Sequence, residues 1–297
     1  MRLVPTLSIL RSLVFALLLI TFNSCNFAQS VDKDLATGLS TRGDGLSCEE
    51  VYLSDGEKII KRNTFSYGET FYVNFDGMGG FERDGKSAFP NMQLVIVSDR
   101  GDTALFINDM YDGYQDGIEN SPLELYGEVT VADPIHTEGE YTLYVTIRDK
   151  KGDGSFRAKL KFDVEPNERI AVTSNQVSSR EIYLFSEQSG HTITDGRVGF
   201  NENIFLIFEG LEGFSVEAGQ VYLGLSLEVK DGNGNLILDE GDLLGDDLMN
   251  FEMVNAQLAP NFILTGSQIA NPVTCKVRIW DKRGTAWINT STEIDVN

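Results

Sequence analysis

Oxygen-bearing side chains alternate along Asp231-Gly-Asn233-Gly-Asn235, and Asp239 and Asp242 follow closely. A hard divalent cation needs several oxygens converging at about 2.4 Å, so Asp231, Asn233, Asn235, Asp239 and Asp242 are candidate ligands of a calcium ion, the one cofactor the sequence suggests. Leu236 stands where a calcium loop has glycine, and Asp242 where it has a bidentate glutamate, so the same residues also suit an ordinary hairpin turn. A second group, Arg278, Trp280 and Trp287, sets two flat rings beside a cation. With Asp281 to Gly284 as a four-residue loop, Arg278 faces Trp287 and all three share one sheet face, as a sugar-binding platform or as a cross-strand cation-π cluster.

Catalytic chemistry finds less to work with. His136 and His191 are the two histidines, and neither lies near a convincing nucleophile. The chain has no nucleophile elbow, zinc-helix motif, phosphate-binding glycine loop or Cys-His zinc spacing. Its 45 acids leave room for a carboxylate pair that hydrolyses a glycan or cell-wall polymer, but no spacing selects one. A net charge of −21 argues against nucleic acid, whose phosphates need a basic surface.

These residues are positioned by a tandem repeat with a spacing of about 132 residues. The segment Phe65–Phe81 aligns with Val198–Phe214, sharing Glu69/Glu202, Phe75/Phe208, Gly77/Gly210, Gly80/Gly213 and Phe81/Phe214. Val51-Tyr52-Leu53 matches Ile182-Tyr183-Leu184, Ile147-Arg-Asp-Lys150 matches Ile279-Trp-Asp-Lys282, and Asp109 matches Asp242. Within each copy apolar residues alternate with polar ones, as in Phe71, Val73 and Phe75, or Val221 through Val229, and Asp/Gly/Asn turns separate the runs. The first copy predicts strands near 51–54, 70–76, 92–98, 103–107, 125–131, 141–148 and 156–164, about the seven of an immunoglobulin-like sandwich. The alternation puts Cys275 on the apolar face as a buried free thiol. Phe205 and Ile207 make their strand apolar on both faces, which calls for a packing partner.

The N-terminus joins Arg2 and Arg11 to an apolar run from Leu13 to Ile20, a secretory signal too short to span a bilayer. Thr21-Phe-Asn-Ser24-Cys25 then resembles the bacterial lipobox, which implies a diacylglyceryl thioether on Cys25 and, with Asn26 next, the outer membrane. The expected organisation is all-β: a lipoprotein signal peptide (1–24), a flexible tether (25–45), a sandwich (46–165), a linker (166–169) and a second sandwich (170–297). The whole resembles the tandem-sandwich lipoproteins of Bacteroidota. That resemblance implies a lipid-anchored cell-envelope binding or scaffold protein, not an enzyme, with the membrane and an envelope protein as partners. A carbohydrate-binding surface lipoprotein is the alternative and a hydrolase the third reading.

Overall fold

The computed structural model describes residues 31–297, so the expected signal peptide and the expected lipid site at Cys25 lie outside the described residues. The first unit contains β1 (Val31–Lys33), β2 (Ser40–Asp44), β3 (Glu50–Ser54), β4 (Ile59–Ile60), β5 (Thr64–Ser66) and β6 (Thr70–Met78). A small hairpin of β7 (Arg83–Asp84) and β8 (Ser87–Ala88) precedes β9 (Pro90–Ser98), β10 (Thr103–Ile107), β11 (Leu123–Thr130), β12 (Gly139–Asp149) and β13 (Ser155–Glu165). All seven strands expected in this copy are present, because period-two alternation against one buried face leaves a strand little freedom of register.

The second unit contains β14 (Ile170–Asn175), β15 (Glu181–Ser186), β16 (His191–Thr192), β17 (Arg197–Val198), β18 (Asn203–Glu209), β19 (Gln220–Val221), β20 (Leu223–Lys230) and β21 (Leu236–Glu240). It continues with β22 (Met249–Asn250), helix α1 (Phe251–Ala256), β23 (Asn261–Ile263), β24 (Val273–Asp281) and β25 (Trp287–Val296). Asn250 caps α1, its side chain accepting from the Met253 amide.

Each unit is a two-sheet sandwich with its own core, and the two have the same topology. In the first, one sheet runs β1-β2-β13-β12-β9-β10 and the other β11-β6-β3-β4; in the second, β14-β25-β24-β20-β21 faces β16-β15-β18-β23. Short β5 and β17 cross from one sheet to lie parallel on β13 and β25, the only parallel pairs between named strands. Phe65, Phe71 and Phe162 fill the first core between the sheets, with Phe65 and Phe71 stacked at 4.0 Å. In the second, Leu223, Leu225, Leu227 and Val229 face Val273, Cys275, Val277 and Ile279 across the β20–β24 pair. Cys275 is a fully buried free thiol there, and burial pushes it up to about 12.

The flexible tether needs correcting. Residues 40–44 are a strand paired with β13, and residues 31–33 pair with its other side as the edge strand of that sheet. Leu39 is buried in the core, and β2 takes the place that β14 takes in the second unit. The segment reads as a linker because a short strand of polar residues near the sheet margin buries little and shows no alternation.

Four carboxylates, two per unit, bind the sandwiches together in the same way. Asp149 and Asp281, each closing its β12 or β24 strand, are buried. Asp149 accepts the amides of Lys151 and Glu82; Asp281 accepts those of Arg283 and Ser215. Next to each sits an ion pair: Asp109 with Lys150, and Asp242 with Lys282, both at 2.6 Å. The second oxygen of Asp109 takes the Met92 and Tyr111 amides, and that of Asp242 the Leu225 and Leu244 amides, position for position. Each acid thus ties a loop to a core strand through several charge-assisted hydrogen bonds.

Burial alone would raise Asp109, Asp242 and Asp281. Hydrogen bonds outweigh it and hold all three below the ordinary carboxylate value of 3.8, from a lysine and backbone amides at Asp109 and Asp242, and from Ser215 and backbone amides at Asp281. A depressed folded-state value contributes stability above pH 3.8 that disappears as pH falls through the folded value, so both sandwiches are expected to unfold with acid. Asp281→Ala leaves the Ser215 and Arg283 amides without their acceptor and is expected to cost about 1–3 kcal/mol, read by urea unfolding. Asp149→Ala should cost a similar amount, and a loss in one copy alone would refute the equivalence.

Candidate functional site

The linker Pro166–Arg169 brings the end of the first unit against one sheet of the second. On β15 and β18 the side chains of Leu184, Leu206 and Phe208 point into the core, so Glu181, Tyr183, Phe205, Ile207 and Glu209 stand on the opposite face by alternation. The Tyr67 ring of the first unit lies 5.2 Å from that of Tyr183 and 6.4 Å from His136. Ile207, cross-strand from Tyr183, is buried although it belongs to no core. The chain's own first unit thus meets this face at Tyr183, the cross-strand neighbour of Ile207.

Glu181 closes this contact. Its side chain is 1% exposed and accepts from the Thr137 amide at 3.0 Å, from the Thr137 hydroxyl, and from His136 Nδ1 at 3.2 Å. His136 Nε2 in turn meets Asp133 at 3.1 Å. Burial raises Glu181 above the ordinary carboxylate range, against the opposing pull of the Thr137 and His136 donors. Burial and the adjacent Glu209 carboxylate, 2.7 Å away, also raise Tyr183.

Beside the contact a cleft of about 1040 Å³ opens between the units. The first unit lines it with Tyr72, Glu128 and Thr130, the second with Tyr183, Phe185 and His191. Arg62 and Glu69 pair at its rim. The cleft continues onto the outer face of the β4-β3-β6-β11 sheet, where Tyr52 and Tyr126 both pair with Asn74, and Ser54 and Glu128 both pair with Tyr72. On this face Tyr126 is exposed, Tyr52, Tyr72 and Asn74 are half-buried and Ser54 is buried.

The calcium reading is corrected by the same structure. Asp231 spends its oxygens on the Asn233 and Asn235 amides and the Asn235 side chain, closing its own turn. Asp242 is held at Leu225, six residues down β20 from Asp231 and so about 20 Å away, where Lys282 neutralises it. Asp239 pairs with Glu228 between these ends. Among the described residues no cluster of three His, Cys, Asp or Glu could hold a metal ion.

The tryptophan hairpin is shifted by two residues. Trp280 pairs with Trp287 and Arg278 with Asn289, because Asp281 belongs to the strand and Lys282–Thr285 form the loop. An even shift preserves the face, so the three side chains do lie together, with Arg278 5.8 Å above the Trp280 ring. Trp280, however, lies flat on Gly224 of β20, where any Cβ would overlap the indole. Both tryptophans are half-buried, and the cluster is the cross-strand cation-π arrangement with one ring face already covered.

The sequence reading missed Tyr67, His136, Thr137 and Glu181. The available signals were the two-faced apolar strand at Phe205 and the match of Glu181-Tyr183 to Glu50-Tyr52. His136 was read only as a histidine without a nucleophile. Cys48 is free, its thiol donating to the Glu50 and Asp76 carbonyls, and burial pushes it up to about 11.

No family model matches the chain, and no curated protein matches it. Among solved structures, a DUF3823 family protein from Bacteroides ovatus is similar at 12% identity over 73% of this chain and 94% of that one, with a TM-score of 0.22. Dimeric latent PorU from Porphyromonas gingivalis is similar at 13% identity over 85% of this chain and 20% of that one, with a TM-score of 0.25. The protein pT26-6p is similar at 8% identity over 91% of this chain, with a TM-score of 0.24, and the chain spans 66% of its length. Likenesses this distant assign neither partner nor activity. Among the described residues no helix is long and apolar enough to cross a membrane.

A raised carboxylate contributes stability that is complete below the ordinary value of 4.5 and disappears as pH rises through the folded value. The Glu181 contact is therefore expected to loosen as pH rises above 4.5. Glu181→Gln, neutral throughout, should flatten this trend, as read by calorimetry of the intact chain and by the distance between labels placed on the two units.

Proposed function

We propose that this chain is a lipid-anchored protein of the bacterial cell envelope that acts by binding or scaffolding, without catalysis. The observation that carries the reading is the docking of two sandwiches of one topology through a buried carboxylate beside a four-residue linker. Such a body holds surfaces at a fixed separation, as a display or assembly element must. The commitment of these acids to structure supports the same reading: the buried Asp149, Asp281 and Glu181, and the less buried Asp109 and Asp242, are each hydrogen-bonded to backbone amides. The acidic surface suits a protein working outside the cytoplasm, and the lipobox at Ser24-Cys25 supplies the anchor.

Growth with an alkyne-bearing palmitate is expected to label the native chain and not Cys25→Ala, which should also leave the membrane fraction. Crosslinking in intact cells, read by mass spectrometry, should recover reproducible envelope partners. An unlabelled, freely soluble native chain would overturn the anchored reading.

A further inference from the structure

Charge is spread unevenly over this acidic chain, and one sheet face runs against the trend. On the outer face of the larger sheet of the first unit, Arg157, Lys159 and Lys161 occupy alternate positions of β13, all exposed. Arg42 of β2 pairs with Arg157, Lys33 of β1 lines up with Lys159 through Ser40, and Arg148 of β12 stands opposite Ser155. Among the described residues none of these six cations forms an ion pair, although the chain carries 45 acids. Arg42 and Arg157 are directly opposed, a like-charge pair that weakens a sheet unless an anion from elsewhere answers it. The repeat shows that the fold does not demand this. The positions of Arg157, Lys159, Lys161, Arg148 and Arg42 hold Asn289, Ser291, Glu293, Trp280 and Thr173 in the second unit. The cations that its face does carry are engaged: Lys230 pairs with Glu228 at 2.6 Å, Lys276 stands opposite Glu228, and Arg278 lies over Trp280.

We propose that this face docks on an anionic lipid surface, its cations meeting headgroup phosphates. The inference builds on the envelope reading above, which supplies a membrane but no face to meet it. The cations spread over four adjacent strands, about 14 Å across, and the clefts between the units are lined by other residues. A planar array without a groove matches a plane of phosphates better than a single bound anion or a polymer chain. A protein partner fits less well, because lysine is depleted from the centres of protein interfaces. Tyr144 is 41% exposed, with the Lys159 ammonium 5.4 Å from its ring, and Phe106, 60% exposed, stands in the same cross-strand row beyond Val95. An amphipathic ring and an apolar one among cations suit the boundary between headgroups and acyl chains. The net charge of −21 does not prevent docking in this orientation. Carboxylates of the opposite sheet lie about 10 Å further off, past the screening length of about 8 Å at physiological salt. On the face itself Asp44 marks one end of the patch, and Glu140 and Asp163 the other.

The test is co-sedimentation of the full chain carrying Cys25→Ala with vesicles of phosphatidylcholine alone and with vesicles containing about 30% phosphatidylglycerol. The anionic vesicles are expected to bind at least about tenfold more tightly at about 0.1 M salt, and the preference should vanish near about 1 M. Each Lys or Arg at such a surface strengthens binding about fivefold, so Arg157→Gln with Lys159→Gln should weaken it about twenty-five-fold. Both side chains are exposed, so this variant should keep the native melting temperature. Lys276→Gln, on the same face of the second unit, should leave binding unchanged. With the native chain reconstituted in both kinds of vesicle, acetylation of Lys159 and Lys161, read by mass spectrometry, should slow on the anionic lipid only. Equal binding to both vesicles, or a preference that survives Arg157→Gln with Lys159→Gln, overturns the proposal. So does salt-sensitive self-association, or capture of soluble polyphosphate, in place of vesicle binding. A chain that labels with palmitate yet prefers neither vesicle overturns this inference and leaves the anchored reading standing; an unlabelled chain that prefers anionic vesicles does the reverse.

Discussion

The structure depends on a carboxylate buried at the end of a core strand with loop amides for partners. Asp149 and Asp281 occupy that place, and the ion pairs Asp109–Lys150 and Asp242–Lys282 stand beside them. A sandwich of this size has an adequate apolar core, and loop residues such as Leu46, Ile135, Leu211 and Phe214 join it, but the polar backbone of the loops still needs partners. A charge surrounded by N–H donors fastens them, because any other arrangement would leave either the acid or the amides unsatisfied. Phe71, Val73 and Phe75 can be exchanged for other apolar residues of similar volume with modest effect. No neutral side chain reproduces what Asp281 does.

The two units show one scaffold serving two purposes. Gly80 and Gly213 have left-handed backbone, and a Cβ on either would overlap the carbonyl of Gly45 or Gln176, so the framework tolerates no change there. The outer face of the β3–β6 and β15–β18 pairs is free of that restriction and has diverged. Both keep a tyrosine, Tyr52 and Tyr183, but Ser54, Tyr72 and Asn74 stand where the second copy has Phe185, Phe205 and Ile207. The acids at the two kinds of site also respond to pH in opposite directions, since amide donors stabilise charge in the loops whereas burial between the units disfavours it on Glu181.

Much of this was legible in the residues, and the failures have physical causes. Strands with one buried face announce themselves by alternation, and the repeat gave the common topology through Glu69/Glu202 and Asp149/Asp281. Ser40–Asp44 passed for a tether because a strand held by backbone hydrogen bonds to β1 and β13 needs few apolar side chains. The Asp231 turn imitated a calcium loop because an Asx turn and a cation select the same oxygens, and only the strand spacing to Asp242 separates them. The face of Trp287 was right and its register wrong, since parity follows from the sequence but loop length does not. Contacts between units leave the weakest trace. Glu181 is one acid among many until the fold sets Thr137 over it.

The pairing of β1 with β2 has a directional consequence. It places Val31–Lys33 at the margin of the larger sheet of the first sandwich, at the end of the strand order opposite β10. Whatever is joined ahead of Val31 must therefore leave the domain from that margin, while the second sandwich departs from the end of β13, two strands further in.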